Sequence, residues 1–163
     1  PFAVFAAAIQ FILIPRLSLM ANQVSRTSAL TAWFRYRKWM PVVAVAMVGA
    51  VVAASPVLSW LIGPRYRSAD WTFTLAIAAA GAAYLIYSSA VQGWSILLRS
   101  KAHAANTSIW VIVTIALTLV VLFVGAPLSV VPWISVVGYL GAGLVATISA
   151  RIEGSRCELA ACS

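Results

Sequence analysis

The chain has 163 residues, 63% of them hydrophobic and only 9% charged, and its mean hydropathy is +1.00. Soluble domains carry about 25% charged residues, so composition excludes an ordinary soluble enzyme or scaffold. In a soluble protein the net charge of +8 would suggest nucleic acid. Beside apolar spans, basic residues instead serve to orient them, and no nucleic-acid partner is expected.

Three stretches, Met40 to Pro64, Trp71 to Leu98 and Ala102 to Ala150, contain no Lys, Arg, Asp or Glu. A bilayer crossing needs about 20 mainly apolar residues. The pattern predicts an all-α protein, a polytopic transmembrane bundle of about five spanning helices over 1–150, followed by a short polar tail at 151–163.

The first helix is predicted over 1–20, with Gln10 as its polar residue and Pro15 and Arg16 near its polar end. It opens at Pro1 with no charged segment ahead, so it does not read as a signal peptide. The chain is expected to be the C-terminal part of a longer protein, or a truncated gene product. A basic segment, Met20 to Lys38, follows. Leu30, Trp33 and Phe34 share one helical face there, and Arg35 and Lys38 lie on others, as in a short helix lying in the membrane interface.

The second span is predicted over 40–62. Trp39 and Trp60 bracket it, 21 residues apart, or about 31 Å of helix, close to the hydrocarbon thickness. Tryptophan favours both interfaces, so the pair reads as an aromatic belt. Gly63-Pro64-Arg65-Tyr66 is expected to form a tight turn, since Pro64 cannot continue the helix without losing a hydrogen bond. Asp70 suits the start of the third helix, predicted over 68–98. The fourth and fifth spans, 104–124 and 128–150, are separated by Gly125-Ala126-Pro127.

Orientation follows from Lys and Arg. Arg16, Arg26, Arg35, Arg37, Lys38, Arg99, Lys101, Arg151 and Arg156 fall on one side of a five-span arrangement, against Arg65 and Arg67 on the other. The positive-inside bias makes the first side, with the C-terminus, cytoplasmic.

Groups for chemistry are few. Asp70 is the only acidic residue before the tail, and His103 the only histidine. His103 reads as an interfacial, solvated side chain. Cys157 and Cys162 lack metal-ligand spacing and read as ordinary thiols. No nucleophile–base pair, phosphate loop or metal cluster is evident, so no catalytic residue, metal or cofactor is expected. Polar groups inside the spans are more informative, because hydrocarbon makes them costly. Gly81, Tyr84, Ser88, Gln92 and Ser95 follow one another at helical spacing, with Tyr87 beside them. This stripe is expected to face other helices or a watery cavity. Thr107, Thr114 and Thr118 form a weaker stripe, read as helix–helix contact.

The order of features resembles the C-terminal part of polysaccharide-biosynthesis flippases, in the multidrug/oligosaccharidyl-lipid/polysaccharide exporter superfamily. The resemblance covers about residues 10–150. Ile14-Pro15-Arg16-Leu17-Ser18 ends a span ahead of a polar interfacial segment. Leu58-Ser59-Trp60-Leu61-Ile62-Gly63-Pro64-Arg65-Tyr66-Arg67-Ser68-Ala69 is similar to the family's pattern of apolar residues, Gly, two variable positions, Tyr and Ala. A polar-striped helix then ends in Arg99-Ser100-Lys101, and Asn106 opens the next span. One feature departs from the pattern. The family has two glycines three apart after the fourth span, whereas this chain reads Gly125-Ala126-Pro127-Leu128-Ser129. The resemblance implies part of one lobe of a larger transporter in the cytoplasmic (inner) membrane, moving a lipid-linked oligosaccharide or polysaccharide intermediate. Its partners would be membrane lipids, that substrate and preceding helices of the same protein. Tyr84, Ser88, Gln92, Gln10 and Arg16 are the candidate substrate path. The alternatives are the membrane-embedded part of an acyl- or glycosyltransferase and a small structural membrane subunit.

Overall fold

A computed structural model describes residues 2–62, 71–96 and 100–161. The described residues form six α-helices and one 3₁₀ turn: α1 Phe2–Gln23, α2 Arg26–Arg37, α3 Met40–Ile62, α4 Trp71–Ile96, α5 Ser100–Phe123, the turn Leu128–Val130, and α6 Val131–Ala161. Five segments are long and apolar enough to cross a membrane: Phe2–Gln23, Arg26–Val57, Trp71–Gly93, His103–Phe123 and Val131–Glu153. The second joins the basic α2 to α3, and the uncharged run lies in α3. The fold is therefore that of an all-α, multi-pass membrane protein. The Gly63–Tyr66 turn, Asp70 and Arg99 lie outside the described residues, as do the side chains of Ser95, Cys157 and Cys162.

The helix ends follow local chemistry. Ser25 caps α2 from an extended backbone, its Oγ accepting the Ser28 N–H at 3.0 Å. Such a cap satisfies one of the free N–H groups at a helix start. Arg35 and Arg37 occupy the last turn of α2, where the helix dipole favours cations. After α5, Gly125 takes φ +72°, a conformation that strains residues bearing a Cβ. Its N–H donates to the Leu122 carbonyl and that of Ala126 to the Val121 carbonyl, each at 3.1 Å. These two bonds make a Schellman cap and reverse the chain as the sequence predicts.

At the other end of the bundle, α2 packs against α1, α4 and α6, meeting Leu17 and Ala150. This contact corrects the expectation for α2. Its apolar face is covered by protein rather than by the membrane interface: Leu30 is buried and Trp33 is 0% exposed. The Trp33 Nε1–H donates to the Ser89 carbonyl of α4 at 2.9 Å. A Cβ at Gly93 would lie 2.7 Å from the Trp33 ring and 3.2 Å from Ala150 Cβ. Gly93 is the notch that admits the indole. An amphipathic sequence signals an apolar neighbour without saying whether it is lipid or protein, and here a ring with a polar N–H found a carbonyl. The basic face keeps its expected place, with Arg26, Arg35 and Lys38 exposed.

α4 is the central helix, packing on α1, α3, α5 and α6 as well as α2, most extensively on α6. Small residues make this possible. Ala76, Ala78, Ala82, Ala83 and Ala90 are buried, and Ala142, Ala146 and Ala150 present a matching row on α6. In lipid, such rows let backbones approach and gain dispersion energy. Trp39 and Trp60 are 58% and 66% exposed, as interfacial anchors require. α6 continues without a break to Ala161, so residues 151–161 extend the last helix.

Candidate functional site

The stripe on α4 faces inward. Ser88 and Gln92 are 4% and 3% exposed, so neither side chain points into lipid. Gly81 gives close approach to α1: a Cβ there would clash with the Phe2 ring. Tyr84 is half-buried and stands edge-on to Tyr139 of α6, with ring centroids 5.4 Å apart. Tyr87 lies 5.7 Å from the same ring. Three tyrosines from two helices thus form one cluster. Ile77 is exposed and Ala80, Tyr84 and Val91 are half-buried. Ile77, Ala80 and Tyr84 recur at helical spacing, so α4 is partly uncovered there, beside the polar stripe.

Polar atoms on this face are satisfied unequally. The Ser88 Oγ–H donates to the Leu85 carbonyl at 2.9 Å, and that of Ser89 to Ile86 at 2.7 Å. Both hydroxyls are used within α4. The Gln92 Oε1 is buried and accepts no hydrogen bond among the described residues. An unmatched buried acceptor costs about 1–3 kcal/mol.

Beside the stripe, α4, α5 and α6 enclose a cleft of ≈ 150 Å³. Tyr87, Thr107, Thr114, Ser135 and Tyr139 contribute hydroxyls to it, and Trp110 forms an apolar wall. Tyr87 and Thr107 share a 2.7 Å hydrogen bond in which either hydroxyl donates. Asn106 Nδ2–H donates to the Ala142 carbonyl at 3.2 Å, tying α5 to α6. The threonine stripe therefore divides. Thr107 makes the helix–helix bond expected of it. Thr114 and Thr118 donate to the Trp110 and Thr114 carbonyls within α5, as threonine in a helix readily does, and Thr114 still packs on α6, where its Oγ1 faces Gly138.

The structure brings Tyr84 and Ser88 onto one inward face with Gln92 a turn beyond. It does not join Gln10 or Arg16 to them by a hydrogen bond. Gln10 lines a groove made by α1 itself, with Ala7, Phe11, Ile14 and Pro15, and Arg16 is exposed. Tyr139 escaped sequence reading. Its signal was an aromatic hydroxyl within Gly138-Tyr139-Leu140-Gly141, where small residues let neighbouring helices close around it. The cleft offers hydroxyls and aromatic faces without a formal charge. Among the described residues no group of His, Cys, Asp and Glu could hold a metal ion.

Fold and site together define a multi-pass helical membrane protein with a polar, uncharged interior face on its central helix. No family model, curated protein or solved structure matches the chain.

Proposed function

We propose that the chain is the membrane-embedded part of a transporter that moves a lipid-linked oligosaccharide or polysaccharide intermediate across the cytoplasmic membrane. The observation that carries this reading is the buried Gln92, whose Oε1 accepts no hydrogen bond among the described residues, on the helix face that also carries Tyr84 and Ser88. Amide, hydroxyl and aromatic groups are what sugar hydroxyls and ring faces bind, and no charge opposes passage. The sequence resemblance to polysaccharide flippases supports the same reading. In it, preceding helices supply a second lobe, and the substrate moves along Tyr84, Ser88 and Gln92. Gln10 and Arg16 would face the substrate only from the α1 side.

Export of the sugar polymer by the full-length protein tests this. Gln92→Leu is expected to cut export at least about tenfold, with the amount of inserted protein nearly unchanged. Normal export in that variant contradicts a substrate path. A parallel loss of protein favours a second reading, in which the stripe is packing glue. The internally bonded Ser88 and Ser89 hydroxyls support that alternative. In the proposed orientation α2 and the C-terminus are cytoplasmic. A reporter after Ser163 is expected to act as cytoplasmic and one at Ala126 as external. The reverse pattern at both sites inverts the protein.

A further inference from the structure

A recess of ≈ 220 Å³ lies where the end of α2, the turn into α3, Ile86 of α4 and Arg151 of α6 meet. Arg37, Lys38 and Arg151 line it, with no carboxylate among the lining residues. Aromatic rings position all three cations. The Arg37 guanidinium is 5.6 Å from the Trp33 ring centroid, Arg151 is 5.4 Å from that of Phe34, and Lys38 Nζ is 5.6 Å from that of Trp39. Rings attract cations without neutralising them. Arg37 is half-buried, and its Nε is fully buried with no hydrogen-bond partner among the described residues. Arg151 adds a like charge on the same recess. Gathering these cations is unfavourable unless an anion joins them. A phosphate diester fits, since guanidinium forks match phosphate oxygens.

The far side of the recess is apolar. Pro41 and Ile86 belong both to it and to a second depression of ≈ 280 Å³. That furrow lies over α4 between α3 and α6, with Ala79 and Ala83 on its floor and Val48 and Leu140 on its flanks. α3 from Pro41 to Val48 and α4 from Ile86 back to Ala79 run in the same direction away from the cations, each for about 10 Å at the helical rise. A cationic head joined to an apolar trough is the outline of a lipid.

We propose that the two depressions form one binding site for an anionic phospholipid, with its phosphate on Arg37, Lys38 and Arg151 and an acyl chain in the furrow over α4. The site uses a different side of α4 from the polar stripe and does not depend on the transport reading. Basic pockets between spanning helices are suited to anionic headgroups.

The test titrates the full purified chain in detergent with phosphatidylglycerol or phosphatidylcholine of identical chains, and reads bound lipid by native mass spectrometry. Phosphatidylglycerol is expected to bind at least about tenfold more tightly. The triple variant R37Q/K38Q/R151Q is expected to lose that preference. R26Q/R35Q/K101Q, which removes equal charge from exposed positions, is expected to keep it. Ala79→Leu is expected to weaken binding of dioleoyl phosphatidylglycerol while leaving the dihexanoyl form unchanged. Equal retention of both headgroups overturns the proposal, as does a basic triple variant that binds like the parent. If inorganic phosphate displaces the lipid completely and Ala79→Leu has no effect, the site takes a free anion and the lipid assignment fails. Circular dichroism and a monodisperse elution profile verify folding. If the triple variant does not fold, Arg151→Gln alone, at an exposed side chain, is expected to weaken phosphatidylglycerol binding about threefold, and no change there overturns the proposal.

Discussion

α4 and α5 are both long, apolar helices, yet they live in different surroundings. In the apolar window of α4, 44% of residues are buried, and in that of α5 only 6%. α4 is built from Ala, Gly and Ser, with Tyr84, Tyr87 and Gln92 among them. From Ile109 onward α5 is mainly Ile, Val and Leu, and Ile112, Ile115, Val120 and Phe123 are exposed. The difference shows that hydrophobicity alone sets only that a helix enters the bilayer. Side-chain size and polar content decide whether it then meets protein or lipid. Lipid tails are as apolar as leucine, so a branched side chain gains little by leaving them, whereas a row of small residues gains close backbone contact.

The contrast can be broken most severely at the contact between α2 and α4. Trp33→Ala removes a fully buried ring and is expected to cost about 3–5 kcal/mol. Unfolding in mixed micelles at graded detergent denaturant measures the loss, and a change under about 1 kcal/mol would mean that α2 is peripheral. A smaller effect is expected where α5 meets the rest of the bundle. Asn106→Leu removes its bond to the Ala142 carbonyl and is expected to cost about 1 kcal/mol in the same assay. The smallest belongs to the outer face of α5. Ile112→Val leaves one apolar side chain among lipids and is expected to change stability by under about 0.5 kcal/mol. A cost comparable to that at Asn106 would place Ile112 against protein.

The spans were legible because charge is so costly in hydrocarbon that its absence marks them. α3 begins at Met40 as predicted and is helical through Ile62, the last residue described before Trp71, and Gly125 turns the chain where expected. The inward direction of Ser88 and Gln92 was legible for the same reason. Other features were ambiguous in principle. Trp33 satisfies an interface as well as a protein groove, and the notch at Gly93 lies 60 residues away in sequence. A helical threonine hydroxyl can bond its own helix or a neighbour, so Thr107 and Thr114 read alike and both contact a neighbouring helix, yet only Thr107 hydrogen-bonds across to it. The Tyr84–Tyr87–Tyr139 cluster needs α4 and α6 side by side, a pairing that spacing within either helix does not encode. The end of the last helix was set too early at Ala150, because Arg151 ends the uncharged run without ending the hydrogen bonding.

The central claim is that the polar stripe of α4 faces protein while α5 faces lipid. Nitroxide labels on single cysteines test it directly in reconstituted membranes, with Cys157 and Cys162 first replaced by serine. Oxygen dissolves in lipid, so collision rates with oxygen report lipid exposure at each position. Labels at 112, 115 and 120 on α5 are expected to show rates typical of lipid, and labels at 88 and 92 on α4 rates several-fold lower. Lipid-like rates at 88 and 92 would contradict the account.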